Sequence, residues 1–445
     1  MLQRVGETVD PKGAVVKMKD ASFPVPFASE LEYNSPVHGN WNIVHTGMQV
    51  PESIQIYVCA DNCMRGVVLT AAEMNAADRF SFVILEEQDL LNSNLEDITV
   101  EGVTDVLNKR GDHPKAVLLF TVCLHHFVGS NLDYIYSELE HRFPDICFIR
   151  CYMDPIMQKH GLTPDQKLRK AMYDPLPECE PDERAVSVLG SDFALNESSD
   201  IKRLLKRYGY TVRELPTCDT WQELLDMSKG KVFLDIYPAG KYGMETQARR
   251  LNREHLYLPG SFDYEEIEHQ LKLLTDALGL PELTEAELTR EKECCESVLK
   301  DAKNLIGDMP VVLDYLYHPR PLGLAKLLLT HGFNVKAVYL DGISPEEKDT
   351  FDWLQECAPE LELIATIQVK MRVLPRGGEE EVLAIGQKAA YFSRSRHFVN
   401  LVQGEGLYGF DGIRRTAELM MEAYCEEKDT EQLVVQKGWG CECCL

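Results

Sequence analysis

Apolar residues in this chain follow two alternating rhythms. Between residues 52 and 155, compact apolar runs ("IQIYVC", "FSFVILEE", "AVLLFTVC", "ICFIRCY") are separated by stretches such as "GVVLTAAEM" and "SNLDYIYSELEHRF". Short apolar runs bounded by polar residues are the pattern of buried strands, and apolar positions recurring every three or four residues are that of helices. Strands alternating with helices predict a parallel, doubly wound sheet. The rhythm returns twice. "RAVSVLGS", the amphipathic "ESSDIKRLLKRYGYTV", "KVFLDIYP", "METQARRLNREH" and "LYLPGS" form a second unit; "PVVLDYLY", "PLGLAKLLLTHGF", "NVKAVYLD" and "HFVNLVQ" form a third. A charged helical stretch over 264–307 joins these two.

The expected organisation is an irregular N-terminal arm over 1–45 and a first α/β domain over 46–165. A second, with linking helices, covers 166–305, a third 306–428, and a Cys-rich tail 429–445. The acidic, Pro-containing segment 156–183 reads as a boundary. A length of 445 residues fits about three domains.

Composition narrows the function by exclusion. A net charge of −26 argues against nucleic acid, whose phosphates call for clustered Lys and Arg. There is no run of 18 apolar residues and no signal-peptide core at the N-terminus, so no membrane association and a cytoplasmic location are expected. In that compartment the 14 cysteines are reduced thiols or metal ligands rather than a disulfide framework. No G-x-G-x-x-G follows a strand, and no phosphate-binding loop, H-E-x-x-H or G-x-S-x-G elbow occurs.

The thiols offer the chemistry. Cys59 ends one predicted strand, Cys63 follows four residues later at the mouth of a helix, and Cys123 ends another strand. Ligands of open parallel sheets collect at the carboxyl ends of the strands. Thiolates in threes without paired histidines favour an iron–sulfur cluster over zinc. The plain alternative is three ordinary strand-terminal cysteines. Cys151 ends a further strand and could line the same edge, although packing is the readier explanation. Cys441, Cys443 and Cys444 in "GWGCECCL" could cap a metal centre or be labile tail thiols. His125 and His126, directly after Cys123, are candidates to hydrogen-bond a cluster sulfide.

"CADNCMRGVV" resembles the segment of the nitrogenase component 1 superfamily in which a cluster-ligating Cys stands seven residues before a Gly-Val-Val helix start; Cys59 and Gly66 match it. "TVCLHHFVGSNLDYI" is similar to the segment carrying another cluster Cys, matched by Cys123 and Gly129, with Ser130 and Asn131 in place of its acidic pair. "RAVSVLGSDF", "VVLDYLYHPRPLG" and "YGFDGIRRTAELM" follow in the family's order, so the similarity covers roughly residues 50–425. The resemblance implies three Rossmann-like domains around a central cavity.

It also implies a 4Fe–4S or larger cluster at a subunit interface, a homologous partner subunit in a homodimer or heterotetramer, and an ATP-dependent iron–sulfur reductase as electron donor. The departures are informative. "FSFVILEEQDL" lacks the family's further cluster Cys, leaving Cys63 as its replacement. "VFLDIYPAGKYGM" lacks the cofactor Cys of true nitrogenase, and no histidine stands in register ahead of "YGFDG". The expectation is a nitrogenase-like reductase subunit acting on a substrate other than dinitrogen, with any second metal cofactor unidentified. A scaffold for assembling a complex metal cluster is the alternative, and a non-catalytic half of a heteromeric complex the third reading.

Overall fold

The structure is a computed structural model that describes residues 10–28, 32–33, 35–37, 43–91, 94–153, 161–378 and 380–435. Its strands form three sheets, paired in parallel apart from one antiparallel edge. β1 (Val15–Lys17) lies in the N-terminal arm. β2 (Ser53–Cys59), β3 (Phe80–Ile84), β4 (Ala116–Val122) and β5 (Cys147–Met153) make the first sheet, in the order β3-β2-β4-β5. β6 (Asp182–Leu189), β7 (Thr211–Glu214), β8 (Gly230–Asp235) and β9 (Glu254–Tyr257) make the second, in the order β7-β6-β8-β9. β10 (Pro310–Asp314), β11 (Asn334–Tyr339), β12 (Glu362–Ile364), β13 (Leu383–Ile385) and β14 (His397–Val399) form the third, in the order β1-β12-β11-β10-β13-β14.

The molecule divides into two compact units. One contains 41–194 and 210–258, and therefore both four-stranded sheets; the other contains 1–40, 195–209 and 259–445, and the six-stranded sheet. The parallel α/β architecture predicted from the apolar rhythm is present in all three, in keeping with the Rossmann-like domains that the resemblance implies.

Parallel strands covered on both faces read as continuous apolar runs. β2 and β4 are buried along their whole length. Their alternate residues separate into two cores. Tyr57, Cys59, Phe120 and Val122 face one side, with Cys151 of β5, and Ile54, Ile56, Val58, Val117 and Leu119 the other. Tyr57 stacks on Phe120 at 4.3 Å between ring centroids, locking the register that pairs these two residues.

Three local features depart from the apolar pattern. The helical stretch 264–307 is two helices, Tyr264–Leu278 and Glu285–Ile306. Gly279 ends the first in the left-handed region (φ 61°), and the Thr284 hydroxyl caps the second. Within 156–183, read as a boundary, lies the helix Pro164–Tyr173, opened by a Thr163–Gln166 capping box. The N-terminal arm contributes β1, which pairs antiparallel with β12 and covers that edge of the third sheet.

Candidate metal centre

Cys59 is the last residue of β2. Burial, with Cys63 and Asp61 nearby, pushes its thiol up to about 12. Ala60 then enters the helix Asp61–Glu73 in extended conformation, and Cys63 sits exposed in its first turn, donating its N–H to the Ala60 carbonyl at 2.9 Å. Cys123 follows β4 directly; it opens a short helix, Cys123–Phe127, and is half-buried.

β2 and β4 are hydrogen-bonded neighbours, with Val58 beside Thr121. One step on, Cys59 stands level with Val122, the residue before Cys123. The strand order reverses between these two strands, since β3 lies on one side of β2 and β5 beyond β4. Such a reversal is where open α/β sheets bind ligands. Apolar side chains stand exposed on the connections leaving this edge. Leu91 is 78 % exposed and Phe127 66 %, with Ile84, Val68 and Val128 less so.

Three soft thiols at one strand edge are the donor type of an iron–sulfur cluster. Among the described residues, however, no three His, Cys, Asp or Glu side chains converge closely enough to hold a metal ion. The thiols share an edge without forming a closed ligand set. Cys151 lies two residues short of the end of β5, fully buried, and burial pushes its thiol well above the usual range. Cys441, Cys443 and Cys444 lie outside the described residues.

The two histidines are otherwise engaged. His125 is buried; its Nδ1 accepts the Val122 N–H at 3.3 Å and its Nε2 lies 3.3 Å from the Thr99 hydroxyl. That hydroxyl donates to the Leu95 carbonyl at 2.7 Å, so it accepts from Nε2–H and the ring is neutral. Burial lowers the His125 value to about 4. His126 stacks on Tyr152 at 6.1 Å between ring centroids.

The other two sheets also reverse order at one place each, between β6 and β8 and between β10 and β13. Both reversals carry an acid at a strand end, Asp235 on β8 and Asp314 on β10. Each carboxylate sits where a side chain on a neighbouring left-handed glycine would stand. A Cβ on Gly190 (φ 96°) would be 2.4 Å from Asp235 Oδ1, and one on Gly386 (φ 108°) 2.2 Å from Asp314 Oδ1. Reading for cysteines passed over these acids, although "VFLD" and "VVLD" share one signal, a lone acid closing an apolar strand.

A family model for nitrogenase component 1 type oxidoreductases matches residues 102–425, well over half of the chain. The chain belongs to that family. The match includes Cys123 and begins after Cys59 and Cys63. Among solved structures, a nitrogenase Cp1 at pH 6.5 superposes with a TM-score of 0.66 at 13 % identity, covering 89 % of this chain and 94 % of the other. A nitrogenase Cp1 at pH 5 gives 0.61 at 12 % identity, with 93 % and 94 % covered. At such identities the shared property is the fold. No curated protein matches the chain. The resemblance carried by the cysteine and glycine spacing and the family match thus agree: this is a nitrogenase component 1-like oxidoreductase chain. No described helix is long and apolar enough to cross a membrane.

Proposed function

We propose that this chain is one subunit of a nitrogenase-like reductase. It would take electrons from an ATP-dependent iron–sulfur reductase protein through a cluster at a subunit interface and pass them to a substrate other than dinitrogen. The observation that carries this reading is the placement of Cys59 and Cys123, in a chain of this family, at the ends of neighbouring strands where the sheet order reverses.

Cys59, Cys63 and Cys123 would hold the cluster, which when bound supplies one-electron transfer. Cys63 lies exposed in the first turn of a 13-residue helix, four residues from Cys59. Cys59 is a neutral thiol in its apolar surroundings and would give up its proton on ligation. The exposed Leu91 and Phe127 suit a second, homologous subunit covering this edge and supplying a further ligand. Cys151, below the edge, is level with Phe120 on β4 and belongs to the buried core on the same face as Cys59. The stretch that would carry the cofactor Cys of a true nitrogenase, 232–244, holds none, and no histidine stands in register ahead of "YGFDG", which is why dinitrogen is set aside as substrate.

Substitution tests the ligand set. In protein purified without oxygen, Cys63→Ala and Cys123→Ala should each lower iron and acid-labile sulfide and alter the cluster's EPR signal, whereas Cys151→Ala should leave the iron unchanged. Full iron with an unaltered spectrum in Cys63→Ala would remove that residue from the set.

A further inference from the structure

His318 lies in the loop that follows β10, at the carboxyl end of the third sheet, and is only 8 % exposed. Its ring packs edge-on against Phe262 with centroids 4.9 Å apart, and its Nδ1 accepts the Arg320 N–H at 3.1 Å. A nitrogen that accepts carries no proton, so the neutral ring carries its proton on Nε2. Burial, with Arg320 nearby, lowers the His318 value to about 3 and keeps the ring neutral. Among the described residues Nε2–H reaches no acceptor. A buried donor without an acceptor is a costly arrangement.

The donor faces a small cavity that His318 helps to line. The Nε2–Cδ2 edge of the ring lies between two glycines of that lining. A Cβ on Gly260 would stand 2.8 Å from Nε2, and one on Gly404 3.4 Å from Cδ2. The cavity has room for about one water molecule. Gly404 belongs to a left-handed turn, Gln403–Gly406, with φ of 53°, 73°, 42° and 76° in order. Gln403 and Glu405 are not glycine, so the turn is strained and persists only where its surroundings hold it. The Gln403 and Gly404 N–H groups donate to the Leu316 and Tyr317 carbonyls, both at 2.6 Å, which fastens the turn to the His318 loop.

The hydroxyls of the lining have all committed their protons elsewhere. Thr416 donates to the Gly412 carbonyl at 2.7 Å and therefore accepts from the Tyr317 hydroxyl, also at 2.7 Å. Ser261 donates to Glu266 at 2.7 Å, and Tyr408 to Gln270. The side chains around the cavity thus offer one donor, His318 Nε2–H, and several hydroxyl oxygens with lone pairs to spare. A metal ion does not suit this set, because Nε2 holds a proton where a lone pair is needed. An anion does not either, because it would meet those lone pairs with a single side-chain N–H to offset them. What suits it is a neutral molecule that accepts one hydrogen bond and donates others, and at this size that molecule is water. We propose that the cavity is an internal water site, in which one water accepts from His318 Nε2–H and donates to hydroxyl oxygens of the lining. That water would join the segment 259–262, the loop after β10 and the left-handed turn at one point, which gives the strained turn a further anchor. The site is independent of the reductase reading.

A crystal structure of the full-length protein that resolves ordered water tests the proposal. One isolated peak is expected at about 3 Å from His318 Nε2, refining as a water. Density wider than one heavy atom would mark a larger hydroxyl-bearing ligand, and no density would mark a dry cavity; either overturns the proposal. Nitrogen-15 histidine labelling reads the same site in solution. One ring should carry its proton on Nε2, with that proton cross-relaxing to a slowly exchanging water. A His318 ring protonated on Nδ1 instead, or one whose Nε2 proton has no contact with water, overturns it. His318→Leu should lose both the peak and the resonance, and a peak that stays in place in that variant overturns the role of Nε2–H. If the variant does not fold, the density and the resonance of the wild type decide the matter alone. None of these readouts depends on iron or turnover, so the water site and the cluster reading fail separately.

Discussion

At the scale of single residues, Gly386 shows how tightly the strand ends are drawn. Its φ of 108° and the 2.2 Å between a would-be Cβ and Asp314 Oδ1 leave no alternative residue. Gly386→Ala should therefore cost roughly 3 kcal/mol, from left-handed strain plus displacement of a carboxylate that holds three N–H groups. Denaturant titration reads this directly, and a loss of about 0.5 kcal/mol or less would mean the loop shifts freely. The contrast with Asp235, whose Oδ2 has no hydrogen-bond partner, is invisible to any pattern of apolar positions. Both acids close an apolar strand in the same way, but the loop after β10 turns two amides back onto Asp314 and the helix Gln387–Ser393 adds a third, whereas the loop after β8 gives Asp235 one.

Among elements, local chemistry set the boundaries that the apolar rhythm blurred. The stretch 264–307 is helical in composition throughout, yet Gly279, Pro281 and Thr284 stop one helix and start the next. Thr284 forms a capping box with Glu287, so Thr284→Ala should destabilise the protein by about 1 kcal/mol, and Thr284→Ser much less. Equal losses for the two would show that methyl packing, not the cap, matters. The central strands β2, β4, β6, β8 and β10 were legible because burial on both faces makes them continuous apolar runs. β12 and β13, of three residues each, were not, because so short a run carries no period. Cys59 and Cys123 were legible as strand-end thiols, but their being on adjacent strands was not, because β3 separates β2 from β4 along the chain and only the sheet order brings them side by side. The absence of convergence among the thiols was not legible, because it depends on how far the Cys123–Phe127 turn carries its first residue from the Cys59–Cys63 turn.

For the molecule as a whole, two buried neutral histidines contribute to its response to acid. Burial lowers His125 to about 4, and burial with Arg320 nearby lowers His318 to about 3. His318 Nδ1 accepts the Arg320 N–H at 3.1 Å, which a protonated ring would forfeit. Both folded values lie below the ordinary 6.5, so the unfolded chain binds more protons, and stability is lost as pH falls from about 6.5 through these values. His125 alone accounts for roughly 3 kcal/mol of that loss, and His125→Gln should flatten the acid limb of a melting-temperature profile. A profile unchanged by that variant would place the acid sensitivity elsewhere. The central claim concerns the edge of the first sheet, and iron with acid-labile sulfide per chain, measured with EPR on protein purified without oxygen, tests it most directly. The account predicts about two irons per chain, one 4Fe–4S cluster shared by two chains. Protein that carries no iron and gives no cluster signal would contradict it, leaving a nitrogenase-like fold without the redox centre.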